Sequence, residues 1–122
     1  PQKNANTKVV IGNVIQKSKE ICLQRFIKDQ IKIESSGDLN TFVKGDFGEL
    51  CRVFINLINN ACDELIKNEI SDRWLKIKVE SQAKTIRIKI SNGGKRIRNE
   101  MAEKIFKLIF RQKFKRVDQA LD

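Results

Sequence analysis

The sequence contains no histidine, and this absence excludes several kinds of chemistry. Most hydrolytic triads use imidazole as their base, and a self-phosphorylated histidine needs one as well. Any chemistry must therefore use carboxylates, amides, lysines or a bound cofactor. The three cysteines, Cys22, Cys51 and Cys62, show no Cys-x-x-Cys spacing and have no histidine to complete a zinc site. We expect them to be reduced and buried, because free cysteine packs as a small hydrophobic residue.

Long apolar runs and targeting signals are also missing. Pro1 is the only proline, and the polar start PQKNANTK lacks the apolar core of a signal sequence. No run approaches the roughly 20 apolar residues of a membrane-spanning helix, so we expect no membrane contact and a cytoplasmic location. With 122 residues, 40% hydrophobic and 33% charged, the chain fits a single globular domain over residues 1–122.

Positive charge is in excess and unevenly distributed. The net charge is +10, and the segment from Lys95 to Arg116 carries nine basic residues and only two acidic ones. This surplus favours an anionic partner, which could be a triphosphate, an acidic protein or a nucleic acid. We do not expect a nucleic-acid partner, because no recognition helix, zinc spacing or aromatic sheet motif accompanies the charge.

Hydrophobic spacing predicts the elements of the first half of the chain. Apolar residues three and four apart predict a helix from about residue 9 to residue 27. The alternating stretch IKIE then predicts a short strand, and SSGD after it a turn. A second helix is predicted from Asp46, which can cap it together with Glu49, to about Lys67.

The second half is predicted to contain a hairpin and a last helix. Alternating apolar residues at 75–79 and 86–90 predict two antiparallel strands, with SQAK between them. SNGG is predicted to be a flexible loop, and a helix is predicted to begin near Asn99 with its apolar side formed by Met101, Ile105, Leu108 and Ile109. This order predicts an α+β sandwich with helices on one face of an antiparallel sheet.

The predicted second helix carries an unusual polar face in the stretch INLINNACDEL, residues 55–65. At about 100° per residue, the polar side chains share one arc, and these are Arg52, Asn56, Asn59, Asn60, Asp63 and Lys67. An ordinary solvated surface would explain such an arc. Asparagine, however, forms helices less well than the lysine, glutamate or glutamine usual on exposed faces. The amides are therefore interpreted as hydrogen-bonding or ligating groups, and an amide oxygen suits Mg²⁺.

The same stretch resembles a known motif. VFINLINNACDEL is similar to the asparagine box of the ATP-binding catalytic domain of sensor histidine kinases, Asn-Leu-x-x-Asn-Ala-x-(Asp/Glu)-Ala. It matches at Asn56, Leu57, Asn60, Ala61 and Asp63. VKGDFGELCRVFINL resembles the family's approach to this box. IRIKISNGGKRIRNEMAEKIFKLIFRQK resembles the strand, first glycine box, short helix and phenylalanine box that follow, so the resemblance spans about residues 7–113.

The resemblance implies a Bergerat fold, a two-layer α/β sandwich with a mixed, mostly antiparallel sheet, that binds ATP and Mg²⁺. By it, Asn60 would ligate Mg²⁺, Asn56 would lie near the phosphates and Asp63 would line the site. Hydrolytic relatives tend to carry a general-base glutamate where this chain has Asn56. Because an amide cannot take up a proton, the resemblance favours phosphoryl transfer to a separate protein over ATP hydrolysis.

The glycine boxes depart from the family pattern. The first box, Asp-x-Gly-x-Gly-Ile, aligns with NGGKRI, in which Gly94 and Ile97 match. Asn92 replaces the aspartate that would bind the adenine amino group, and Arg96 replaces the second glycine. An uncharged acceptor and a bulky side chain are expected to weaken nucleotide binding. Lys113, in FRQK, lies where relatives often carry a lysine of the nucleotide lid; an ordinary surface lysine would explain it equally well.

The second glycine box, Gly-x-Gly-Leu-Gly-Leu, has no counterpart after Lys113. Either the sequence is a fragment that ends before the lid, or the domain has diverged, and the absence of glycine after Gly94 favours divergence. The resemblance implies a catalytic domain that transfers the γ-phosphoryl group of ATP to a histidine on a separate dimerisation domain. A response regulator is the other implied partner. The alternative is a non-catalytic interaction module that keeps the fold without ATP turnover.

Overall fold

The computed structural model describes residues 7–96 and 101–110. Its elements, in chain order, are β1 (Lys8–Val10), α1 (Ile11–Ile21), α2 (Leu23–Lys28), β2 (Lys32–Gly37), β3 (Phe42–Lys44), α3 (Phe47–Lys67), β4 (Ile70–Ser81), β5 (Ile86–Arg96) and β6 (Met101–Phe110). β1 and β3 form a small antiparallel pair. The main sheet has the order β2-β4-β5-β6, in which β2 and β4 run parallel and the other pairs antiparallel. The fold is therefore α+β with a mixed, mostly antiparallel sheet, as predicted.

Alternating residues of the central strands form one side of the core. In β4 and β5, the pairs Ile77 with Ile90 and Val79 with Ile88 lie opposite each other, and all four residues are buried. α3 packs on these strands, and α1 packs on α3. The helical side of the core includes Val14, Ile15, Phe54, Ile58 and Leu65. One face of the sheet is therefore covered by helices.

The predicted start and end of α3 are confirmed. The Asp46 carboxylate accepts a hydrogen bond of 2.9 Å from the backbone N–H of Glu49, which supplies one of the unpaired donors of the first turn. At the other end, the Asn68 side chain donates to the backbone carbonyl of Glu64 at 2.9 Å. Glu69 then adopts a left-handed conformation, φ 55°, which ends the helix.

The first predicted helix is divided in two. α1 ends at Ile21 and α2 begins at Leu23, so the break lies at Cys22. The carbonyl of Cys22 accepts from Arg25 N–H at 3.0 Å, three residues on, which tightens the turn between the two helices. α2 is therefore a separate six-residue helix.

Several sequence predictions are wrong. The SNGG segment is not a loop, since Ser91 to Gly94 continue β5. The segment 101–110 is not a helix, since it pairs with β5 as β6. Ser35, Ser36 and Gly37 of SSGD belong to β2 and pair with β4, and the turn begins after them. A short apolar run is compatible with either helix or strand. The run at 101–110 is a strand because it pairs with the edge of β5 that β4 leaves free.

No helix in the described ranges, 7–96 and 101–110, is long and apolar enough to cross a membrane.

Candidate functional site

α3 presents the predicted polar face outward. Asn56, Asn60 and Asp63 are exposed, whereas Phe54 and Ile58 on the other side have no exposed surface. This division follows from the helical repeat, because residues three and four apart share a face. Asn56 and Asn60 are therefore available to a ligand rather than used in the core.

Asn60 and Asp63 line a common concavity. Its volume is about 330 Å³, and its other lining residues are Glu64 and Lys67. The C-terminal half of α3 therefore carries one neutral amide, two carboxylates and one ammonium group around this concavity. Glu64 is held in place by Asn68, whose side chain donates to its carboxylate at 2.7 Å. Asn56 lies one turn before Asn60 and does not line this concavity.

Arg25 of α2 fixes the carboxylate of Asp63. Its guanidinium lies 2.6 Å from Asp63 and 3.1 Å from Asp29. It also donates to the side-chain oxygen of Asn59 at 3.3 Å and to the Asn59 backbone carbonyl at 3.4 Å. Burial alone would lower the pKa of Arg25, but the hydrogen bonds to Asp63 and Asp29 outweigh burial and raise it. Arg25 therefore stays charged and offsets one of the two carboxylates of the concavity.

Asn92 lies beneath α3, with only 3% of its surface exposed. Its side-chain NH₂ donates to the backbone carbonyl of Ala61 at 2.9 Å. A carbonyl can only accept, so this bond fixes the orientation of the Asn92 amide and turns its oxygen away from Ala61. The amide oxygen is therefore the acceptor of this side chain, and it is not engaged with Ala61. An aspartate at this position could not donate to Ala61 unless it were protonated.

Gly94 is required by the packing of the sheet. It has φ +149°, and a Cβ built on it would lie 2.4 Å from the carbonyl oxygen of Ser71. The pairing of β4 with β5 shifts register between Ser71 and Trp74, and Asp72 within this bulge has φ 51°. Gly94 thus allows the close approach of β5 to the β4 bulge. This contact accounts for the glycine without a nucleotide.

Two predicted site residues, Ile97 and Lys113, lie outside the described residues. Of the others, the structure brings Asn60 and Asp63 into one concavity and joins Asn92 to the same helix through Ala61. Gly94 lies against the β4 bulge instead.

Arg25, Glu64 and Lys67 were not predicted as site residues from the sequence. Glu64 and Lys67 follow Asn60 by four and seven residues, so helical spacing alone could have found them. Arg25 had no such signal, because it reaches Asp63 from another helix 38 positions earlier in the chain.

The donor atoms of the concavity fit Mg²⁺. Mg²⁺ takes oxygen ligands and usually binds one or two protein groups, while water and phosphate complete its shell. The amide of Asn60 and the neighbouring carboxylates supply such oxygens. Among the residues that the structure describes, no three His, Cys, Asp or Glu side chains are grouped as a metal site.

A comparison with protein-family models finds no match. A comparison with curated proteins finds none either. Solved structures do match, at low sequence identity. The nucleotide-free catalytic domain of histidine kinase ThkA has 22% identity and a TM-score of 0.61, and the match covers 72% of this chain and 56% of that one. The chain thus spans little more than half of that domain. ThkA in complex with the response regulator protein TrrA matches with a TM-score of 0.59 over 25% of that chain.

Two further histidine kinases show the same likeness. Histidine kinase AdeS of Acinetobacter baumannii has 15% identity and a TM-score of 0.65, with 87% of this chain and 66% of that chain covered. Full-length ShkA in complex with AMPPNP has 15% identity and a TM-score of 0.61, with 76% and 19% covered. At these identities the likeness concerns the fold. The chain has the fold of the catalytic domain of histidine kinases.

Proposed function

We propose that the chain is the ATP-binding catalytic domain of a two-component sensor histidine kinase, with weakened nucleotide binding. One observation carries the proposal. Asn60 and Asp63, which match the asparagine box, lie on the exposed face of α3 and line a single concavity in a chain with this fold. An accidental polar face would not be expected to combine the family's motif, the family's fold and a concavity.

The residues of α3 would hold the metal and the phosphates. Asn60 would ligate Mg²⁺ through its amide oxygen, and Asn56, one turn earlier, would lie by the phosphates. Asp63 would line the site while Arg25 holds its carboxylate. Mg²⁺, when bound, would neutralise charge on the transferred phosphoryl group. Because Asn56 cannot act as a base, transfer to an acceptor on another domain is favoured over hydrolysis.

Asn92 would recognise the base of the nucleotide. Its amide oxygen, directed away from Ala61, would accept a hydrogen bond from the adenine amino group. Gly94, Ile97 and Lys113 are assigned to nucleotide binding by the family resemblance alone. A neutral acceptor forms a weaker hydrogen bond than the carboxylate of the family pattern, so the adenine contact would contribute little affinity.

The backbone of the first glycine box supports weak binding. Gly93 is paired with Trp74 of β4 on one side and with Glu103 of β6 on the other. The backbone N–H and C=O groups of a strand paired on both sides are less available to a nucleotide than those of a loop. Arg96, at the position of the second glycine, continues the same strand. Both features reduce the close backbone approach that glycine boxes provide.

The partners would be those of the kinase class. The acceptor histidine would lie on a dimerisation domain, because this chain contains no histidine. A response regulator would receive the phosphoryl group next, and the ThkA complex with TrrA supports this partner by analogy. In this proposal residues 1–122 form one domain of a longer kinase that works in the cytoplasm, without direct contact to membrane or nucleic acid.

Calorimetric titration with Mg²⁺ and AMPPNP tests the proposal. We expect measurable binding with a dissociation constant above roughly 100 μM, equivalent to a binding free energy weaker than about −5.5 kcal/mol. Asn60→Ala should abolish binding, since it removes the ligating oxygen. Asn13→Ala is the matched control, because Asn13 is an exposed asparagine of α1 outside the concavity. Equal binding by all three proteins would refute the site. Low-micromolar, Asn60-dependent binding would refute the claim of weakness.

The second candidate is a non-catalytic interaction module with the same fold. The pairing of the glycine-box segment on both sides, to β4 and β6, favours it. A ligand that binds only the native state must raise the melting temperature by mass action. An unchanged melting temperature at millimolar Mg²⁺ and ATP, in a cooperatively unfolding chain, would therefore support this candidate over the kinase.

A further inference from the structure

The main sheet has a second face that the described elements leave uncovered. Along β4, Leu75, Ile77 and Val79 are buried under the helices, whereas Lys76 and Lys78, which alternate with them, are exposed. Successive side chains of a strand point to opposite faces of the sheet. The residues that alternate with the core therefore form what we call the outer face, and α3 packs on the opposite side.

Cations outnumber carboxylates on the outer face. Along β4 from Trp74 to Glu80, and in the residues of β2 and β5 paired with this stretch, the outer face carries five cations, Lys32, Lys76, Lys78, Arg87 and Lys89. The same stretch carries two carboxylates, Glu34 and Glu80. Glu80 lies 3.9 Å from Arg87 and 3.7 Å from Lys89, so one carboxylate is shared by two cations. Lys76 extends over the ring of Trp74, with its ammonium 5.0 Å from the centroid. Lys78 forms no ion pair within the described residues.

Like charges also face each other directly across the strands. Lys78 of β4 is the register partner of Lys89 of β5. Directly opposed side chains of an antiparallel pair have Cβ atoms about 5 Å apart, and like charges at that spacing are destabilising. Lysines at sheet edges can be explained as protection against aggregation. Lys78 and Lys89 lie on the two central strands, where that explanation does not apply.

We propose that the outer face is a docking surface for an acidic polypeptide segment, centred on Lys78 and Lys89. An array of like charges that costs stability in the free domain is relieved when carboxylates lie between the ammonium groups. The surface is separate from the concavity of α3, which lies on the helical side of the sheet. The proposal therefore does not depend on nucleotide binding.

The chemistry favours polypeptide over nucleic acid. Single-stranded nucleic acids are bound on sheets by several aromatic side chains that stack with successive bases. Trp74 is the aromatic residue among the described outer-face residues of β2, β4 and β5, and Lys76 already extends over its ring. Four of the five cations are lysines, which act as point charges and lack the planar fork with which arginine binds phosphate. Carboxylates held by an extended or helical segment match such point charges.

Fluorescence anisotropy with a labelled 12-residue peptide of alternating glutamate and threonine tests the proposal. The test variant is Lys78→Gln with Lys89→Gln, and the control is Lys17→Gln with Lys28→Gln, which removes the same charge from exposed positions on α1 and α2. Two exposed ion pairs correspond to a loss of roughly threefold to tenfold in affinity. We expect that loss for the sheet variant and less than about twofold for the helix variant. Equal losses would mean attraction by net charge alone and would overturn the proposal.

Two further measurements complete the test. A dT12 oligonucleotide is titrated against the same proteins. If it binds more tightly than the peptide, and if the sheet variant loses more affinity for it than for the peptide, the face would be assigned to nucleic acid instead. The melting temperature of the sheet variant is measured without ligand. Because the variant removes opposed like charges, we expect it to be equal to or above that of the parent chain. A lower melting temperature would mean that the lysines stabilise the free domain, which contradicts the argument.

Discussion

At the scale of single residues, burial determines how readily the thiol of Cys62 ionises. Its side chain has no exposed surface in α3. Burial disfavours the thiolate and raises the pKa of Cys62 to about 11, although the nearby Arg25 cation opposes the shift. Burial likewise raises the pKa of Cys22 and of Cys51. The three cysteines are free and buried, as the sequence predicted.

The raised pKa predicts a loss of stability at alkaline pH. Because the thiol ionises less readily in the folded chain than in the unfolded chain, its contribution is complete below about pH 8.5 and is lost as pH rises through the folded pKa. A pKa raised to about 11 corresponds to an effect of roughly 3 kcal/mol. Urea unfolding between pH 8 and pH 10.5 should therefore show a steeper decline for the parent chain than for Cys62→Ala. Parallel curves, whatever their offset, would contradict the shift.

Adding a single methyl group at Gly94 is expected to have a large effect on the stability of the chain. Alanine at φ +149° is strained, and its Cβ would lie 2.4 Å from the Ser71 carbonyl oxygen and 2.8 Å from that of Asp72. We expect Gly94→Ala to lower the free energy of unfolding by about 3 kcal/mol or more.

Gly48→Ala provides the control for this substitution. Gly48 lies in the first turn of α3, where an added Cβ would meet its nearest atom, in Asp46, at 3.4 Å. Alanine should stabilise the helix there by up to about 1 kcal/mol. Urea unfolding measures both variants. Equal effects of the two substitutions would mean that the β4 bulge does not require glycine.

At the scale of elements, Arg25 joins α2 to α3 and, through Asp29, to the sheet. Arg73 of β4 donates to the Asp29 carbonyl at 2.5 Å, and Arg25 binds the Asp29 side chain. Arg25→Ala should lower the free energy of unfolding by about 1–3 kcal/mol, because it leaves partly buried acceptors on two helices without their donor. Arg52→Ala on the exposed face of α3 is the matched control, and its effect should stay within about 0.5 kcal/mol. A loss for Arg25→Ala no larger than for the control would show that the network does not hold the helices together.

The elements that could be predicted from the sequence are those determined by residues close together in the chain. Asp46 and Glu49 located the start of α3, and alternation of apolar residues located β4 and β5. Helical spacing placed Asn60 and Asp63 on the exposed face. The errors concern elements that depend on distant partners. β1 has only three residues and exists by pairing with β3, and β6 exists by pairing with β5.

The same limit applies to the candidate site. The asparagine face could be predicted because its residues belong to one helix. The salt bridge from Arg25 to Asp63 joins two helices, and the hydrogen bond from Asn92 to Ala61 joins a strand to a helix. Neither partner is marked by spacing in the sequence. The packing of Gly94 against the β4 bulge could not be predicted for the same reason, because the bulge is distant in sequence.

At the scale of the whole molecule, two polar surfaces lie on opposite sides of one core. The α3 side offers amide and carboxylate oxygens in a concavity, and the outer face of the sheet offers lysines. The net charge of +10 attracts any anion to the whole chain. Affinity for a triphosphate therefore does not identify its site, and the position of the bound nucleotide must be observed directly.

The most direct measurement is a ¹H–¹⁵N NMR titration of the chain with Mg²⁺ and AMPPNP, observed at the asparagine side-chain amides. We expect progressive shifts for Asn60, Asn56 and Asn92, with little change at Asn13 on α1. Shifts confined to the backbone amides of Lys78 and Lys89, with Asn60 unchanged, would contradict it. Such a result would place the nucleotide on the outer face of the sheet and leave the asparagine face of α3 without its proposed role.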